Sequence, residues 1–198
     1  SLSEEELNQE DPAKVLMNKN HATALEDGRI VEKNSFRRSN YFEHVGNECK
    51  HVNDKVGLLD MSAFAKCIVK GPGAEEWLEY IFANKMPKAI GRISLVHMLS
   101  LNGGVRAEFT VYKTGPQSYY LVSAGAFETH DHDYLFKLAP KDGSVNIQRV
   151  TTQTGVLVLA GPRSRDVLQK LTDTDLSNDN FKWLTGTKIN VDYTTTHN

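Results

Sequence analysis

Ser100-Leu101-Asn102-Gly103-Gly104-Val105-Arg106-Ala107-Glu108-Phe109-Thr110-Val111-Tyr112 joins a turn to a strand within one short stretch. Asn102, Gly103 and Gly104 tolerate positive φ, so the three read as a tight turn. Past it, Val105, Ala107, Phe109 and Val111 alternate with Arg106, Glu108, Thr110 and Tyr112, the period-two pattern of a half-buried strand. Residues 90–101 approach the turn as a strand from the other side, so 93–99 and 105–113 are expected to form a hairpin. Glu108 falls mid-strand on the polar face. A carboxylate there is either a poised acid or base or an ordinary solvated strand residue, and the pattern leaves both open.

Working outward, the Gly115-Pro116-Gln117-Ser118 turn leads into a third antiparallel strand, 119–123. Gly125 then opens a helix carrying Phe127, Tyr134, Leu135 and Leu138, with His130, Asp131, His132 and Asp133 expected on a solvated face. On a helix only residues three or four apart share a face, so His130 and Asp133 make one pair without a third metal ligand. His97, alone on its strand, reads as a hydrogen-bonded structural residue.

Two stretches share one grammar. Ile68-Val69-Lys70-Gly71-Pro72 precedes a helix holding Trp77 and Leu78, and Val158-Leu159-Ala160-Gly161-Pro162 precedes one holding Val167 and Leu168. This repetition of strand, Gly-Pro and helix points to a duplicated βα arrangement with antiparallel sheets, hence an α+β protein. Trp77 and Phe82 are expected in its core. Val45, Cys49, Val52 and Val56 recur at helical spacing in a helix that Gly57 ends, and 58–64 is an apolar entry into a turn. Further strands are expected at 145–150, 155–160 and 188–191, with a short element beginning at Phe181. Residues 1–40 read as a polar leader or linker with one helical turn near Val15-Leu16-Met17.

Bulk properties narrow the chemistry. The 198 residues suffice to bury a core without covalent staples, and a formal net charge of −2 gives no electrostatic reason to expect nucleic acid or an anionic membrane as partner. No apolar run approaches the ~20 residues of a membrane span. Cys49 and Cys67 lack metal or redox spacing and read as buried thiols. No Gly-x-Gly-x-x-Gly follows a strand, and there is no Gly-Lys-Ser/Thr loop, Gly-x-Ser-x-Gly elbow or His-Glu-x-x-His motif.

An ordered series of motifs carries a resemblance. It runs from Tyr41-Phe42-Glu43 through Val56-Gly57-Leu58-Leu59-Asp60-Met61-Ser62, Phe82-Ala83-Asn84-Lys85-Met86-Pro87 and His97-Met98-Leu99 to Gly103-Gly104-Val105-Arg106-Ala107-Glu108-Phe109-Thr110-Val111. It closes with Gly155-Val156-Leu157, Ala160-Gly161-Pro162-Arg163, Val167-Leu168-Gln169-Lys170-Leu171-Thr172 and Asp175-Leu176-Ser177. In these the chain resembles the aminomethyltransferase, or glycine cleavage T-protein, family, and within it the folate-binding C-terminal region of dimethylglycine and sarcosine dehydrogenases.

The resemblance implies T-protein-like subdomains: 41–60 with 141–198 as a first, discontinuous and incomplete one, and 61–140 as a second. In the family a cloverleaf of three encloses tetrahydrofolate, and a later Gly-Glu-Leu-Gly-Trp-Glu motif, which this chain lacks, anchors the pterin. Glu108 corresponds to the carboxylate that faces the folate nitrogen. Most T-proteins carry aspartate there; glutamate resembles the dehydrogenase branch and extends the side chain by one C–C bond, about 1.5 Å. Thr110 and Tyr112, on the same strand face, and Phe64, as an apolar contact, would line the folate. Leu95, Ala126 and Phe127 depart from the family pattern.

The implied activity passes a methylene unit, arriving as an iminium or as formaldehyde, to tetrahydrofolate. Glu108 would assist proton transfer if burial tunes it. FAD would belong to a separate N-terminal flavin domain of the parent protein, and the resemblance places such proteins in the bacterial cytoplasm or the mitochondrial matrix. The alternative is a noncatalytic T-protein-like scaffold or interaction domain.

Overall fold

The computed structural model describes residues 22–24, 30–32, 38–39 and 41–191, and the chain divides into two compact units, 1–54 and 55–198. In the first, β1 (Ala22–Ala24) pairs antiparallel with β2 (Ile30–Glu32), and α1 spans Phe42–Asp54. The turn expected near Val15 lies outside the described residues. α1 buries no side chain, because its stripe of Val45, Cys49 and Val52 is one residue wide between polar neighbours. Cys49 is therefore exposed, against the expectation of two buried thiols; Cys67 is buried.

In the second unit the hairpin reading holds. β5 (Ile93–Leu99) pairs with β6 (Val105–Gly115), and Gly103 takes φ +79° in the turn. β7 (Ser118–Ser123) continues the meander, β4 (Ala65–Lys70) pairs with β7, and β8 (Asn146–Arg149) adds to β4. The result is an antiparallel five-stranded sheet in the order β5-β6-β7-β4-β8. A separate two-stranded ribbon joins β3 (Gly57–Asp60) to β9 (Leu157–Ala160). Gly57 opens this strand instead of capping α1, and 58–60, expected as the entry to a turn, are paired. That pairing partner lies far away in sequence and leaves no local signal.

The repeated grammar is visible in the backbone. Gly71 and Gly161 both take left-handed φ, +131° and +119°, ahead of α2 (Ala74–Ile81) and α4 (Ser164–Gln169). At Gly71 a Cβ would run into the Ser144 carbonyl, so the close approach as well as the φ requires glycine.

One sheet face carries the core. Val69, Val96, Met98, Phe109, Val111, Tyr119 and Leu121 cluster with Trp77, Leu78 and Ile81 of α2 and Leu135 of α3 (Glu128–Leu138). Trp77 donates its indole N–H to the Leu138 carbonyl at 2.9 Å, and Phe82 meets Phe109 edge to face at 5.2 Å between centroids. Lys113 also points inward and is buried. Its ammonium reaches Glu75 Oε2 at 2.6 Å, an oxygen that also accepts from the Tyr119 hydroxyl at 2.7 Å, while Lys88 donates to Oε1 at 3.0 Å. Hydrogen bonds from Lys113, Tyr119 and Lys88 hold the Glu75 carboxyl down at about 2.

Residues 188–191 form no strand. The segment before them runs past the start of β5: Ile93 N–H donates to the Leu184 carbonyl at 3.0 Å, and Arg92 bridges Thr185. No helix among the described residues is long and apolar enough to cross a membrane.

Candidate functional site

An open cavity of about 750 Å³ lies against the face of β6 opposite the core. Its walls come from three places in the sequence. β6 contributes Arg106, Glu108 and Thr110; the end of β7 and the start of α3 contribute Val122, Ser123, Phe127, His130 and Asp131; Phe64 and Val156 close the third side. The size and the mixture of apolar wall with a few polar groups suit a small-molecule ligand.

Alternation on β6 puts Glu108, Thr110 and Tyr112 on one face, as the sequence indicates, but the structure does not bring all four candidates together. Phe64, Glu108 and Thr110 line the cavity. Tyr112 does not: its ring lies so close to Gly186 that a Cβ there would collide with it. Val105 is also not inward, being 68% exposed, because a β-bulge leaves Arg106 as an extra residue between the Leu99↔Val105 and Met98↔Ala107 pairs.

Phe64 is positioned by the segment that leaves β3. Asp60 Oδ1 accepts the Ser62 N–H at 2.9 Å, Ser62 Oγ accepts the Val156 N–H at 3.1 Å, and the Phe64 N–H bonds the Met61 carbonyl at 3.1 Å. Lys66, itself buried, donates from Nζ to the Ser62 carbonyl at 2.7 Å. Gly125 fits against the carbonyl of Ala63, where no side chain has room.

Glu108 is not buried: its side chain is 57% exposed. What it meets is His97, directly opposite on β5, with Nε2 and Oε2 3.0 Å apart. The histidine is held in turn. Asn84 Oδ1 accepts the His97 backbone N–H at 2.9 Å and lies 3.3 Å from Nδ1. The structural role expected for His97 thus falls on the candidate acid itself.

Around the bulge a second chain of contacts forms. The Arg106 guanidinium stacks 3.9 Å over the Tyr134 ring and sets Nη2 3.2 Å from His130 Nε2; His130 Nδ1 lies 3.0 Å from Asp131 Oδ1. Asp131 is 5% exposed, which corrects the reading of 130–133 as a solvated face. The signal was available: Asp131 precedes the buried Leu135 by four residues and so shares its helix face. No cluster of three or more His, Cys, Asp or Glu able to hold a metal ion occurs among the described residues.

This antiparallel α+β architecture is the class of fold seen in T-protein aminomethyltransferases. Aminomethyltransferase T from Bartonella henselae superimposes with a TM-score of 0.60 at 21% identity, covering 81% of this chain and 43% of that one. Residues 18–197 match the family described as GCVT N-terminal domain, and the chain belongs to it. Mitochondrial dimethylglycine dehydrogenase of Mus musculus is 43% identical over 158 residues, 79% of this chain and 18% of that enzyme. Aminomethyltransferase of Thermoanaerobacter sp. is 31% identical over 160 residues, 78% of this chain and 42% of the relative. The chain thus spans less than half the length of these two relatives.

Proposed function

We propose that this chain forms one wall of a folate site at which a methylene unit is passed to tetrahydrofolate, as in a dimethylglycine dehydrogenase-like or aminomethyltransferase enzyme, with Glu108 as its acid–base group. The observation that carries this reading is a carboxylate on the strand after the Gly-Gly turn, open to the cavity and held by His97. The lining fits the ligand class. Phe64, Val122, Phe127 and Val156 offer apolar surface to a flat ring, and Glu108, Thr110 and Ser123 offer polar groups to its edge.

Tetrahydrofolate supplies the nucleophilic nitrogen that takes up the one-carbon unit. Glu108 receives the proton that this nitrogen gives up, and its negative charge favours the cationic character of an arriving iminium. His97 holds one carboxylate oxygen, leaving the other without a hydrogen-bond partner among the described residues. Glu108, Phe64 and Thr110 are the residues assigned to the site; Tyr112 is assigned to its edge, through its packing on Gly186. A flavin domain elsewhere in the parent protein would generate the one-carbon donor.

Isothermal titration calorimetry with tetrahydrofolate, beside a methylene-transfer assay, tests the reading. Glu108→Gln should bind with little change and transfer roughly 100-fold more slowly. Equal transfer by the variant would remove Glu108 from the chemistry, and uptake of tetrahydrofolate neither by this chain nor by the same chain extended toward the length of its relatives would favour the scaffold alternative.

A further inference from the structure

Arg106 carries a charge that the proposed chemistry at Glu108 does not use. It lines the same cavity, and among the described residues it has no carboxylate within salt-bridge distance. The structure nonetheless fixes it from three directions. The bulge between Val105 and Ala107 aims it, the Tyr134 ring supports one face of the guanidinium, and His130 takes one of its N–H groups.

The histidine's proton is set by its neighbours. A guanidinium can only donate, so His130 Nε2 accepts, and Nδ1 must carry the ring proton that reaches Asp131. His130 sits one helical turn before Tyr134, so the two groups that touch Arg106 share a face of α3, and the buried Asp131 next to His130 holds its ring. A single N–H is consumed, and the rest of a planar five-donor fork is left for the cavity.

We propose that Arg106, held by Tyr134 and the His130–Asp131 pair, is a carboxylate-binding position in this cavity. A carboxylate matches the fork with two parallel N–H···O bonds, and stacking on Tyr134 removes much of the guanidinium's rotational freedom beforehand. Two ligand groups present this chemistry: the glutamyl end of a folate and the carboxylate of a small N-methylated amino acid. Only the choice of source rests on the folate reading above.

The test follows the Arg106 Nε–Hε resonance by NMR in the full chain during separate titrations with N-(4-aminobenzoyl)-L-glutamate, N,N-dimethylglycine and the uncharged 4-aminobenzamide. The first probe has no pterin ring and the titration contains no one-carbon donor, so its result does not depend on transfer at Glu108. A saturable shift with either carboxylate and none with the amide is expected, the responding probe naming the source. Arg106→Gln should raise the dissociation constant about tenfold or more, and Arg106→Lys, which keeps the charge but loses the fork, should fall between. Absence of a response to both carboxylates overturns the assignment even if tetrahydrofolate binds and transfer proceeds, as does undiminished affinity in Arg106→Gln.

Discussion

His97 and Glu108 stand opposite each other across the β5–β6 hairpin with Nε2 and Oε2 3.0 Å apart, and the geometry requires a proton between them. An ionised carboxylate only accepts, so Nε2 carries the hydrogen toward Oε2, while Asn84 Oδ1 receives the His97 backbone N–H and lies 3.3 Å from Nδ1. Nε2 and a bare carboxylate would otherwise set lone pair against lone pair. His97→Phe is therefore expected to leave the fold intact while lowering transfer about tenfold and altering its pH profile. Full activity with an unchanged profile in His97→Phe would show that Glu108 acts alone.

Glu75 is the only carboxylate among the described residues that pairs with the buried Lys113, so removing its charge leaves an ammonium stranded in the core. Glu75→Gln should destabilise the protein by about 2 kcal/mol, less than the ~3–5 of a fully buried pair because Glu75 is partly solvated. The acid limb follows from the same contact. The folded value of about 2 lies below the ordinary 4.5, so this stabilisation is complete above about pH 4.5 and lost as pH falls toward 2. Melting temperatures recorded across that window should decline less steeply in Glu75→Gln than in wild type.

Local chemistry explains what could be read from sequence. The Asn102-Gly103-Gly104 turn, the alternation along β6 and the two Gly-Pro junctions are all decided by neighbours a few residues away, and all stand in the structure. The features that escaped depend on partners distant in the chain. β3 needs β9; Lys113 is tolerated inside only because Glu75 and Tyr119 reach it; Val105 turns outward at a bulge. In the site, periodicity placed Glu108 and Thr110 on one face, whereas Tyr112 follows the same pattern but its ring lies against Gly186 and outside the cavity lining. Arg106, His130 and Asp131 were visible as residues, yet nothing local joins a strand bulge to a helix.

Gly125 sits where a Cβ would overlap the Ala63 carbonyl, backbone against backbone, so neither side can yield by turning a side chain. Gly125→Ala is expected to lower stability by about 2–3 kcal/mol, read from the denaturant midpoint. Since Ala124 and Phe64 both line the cavity, ligand binding should weaken in the same variant, whereas Gly143→Ala, with open space around it, should spare binding. Equal stability of Gly125→Ala and wild type would mean that the 63–64 segment moves freely.

The β3–β9 ribbon has a consequence for the order in which the site comes apart. Its four pairs join segments roughly a hundred residues apart, so their formation carries a large loop-closure penalty, and Leu58 and Leu157 remain well exposed on it. The β5–β6–β7 meander closes only short loops. Amide protons of the ribbon should therefore exchange with solvent before those of the meander. Phe64 hangs from the ribbon through Ser62 and Val156, so the aromatic side of the cavity would open while the Glu108 side still stood.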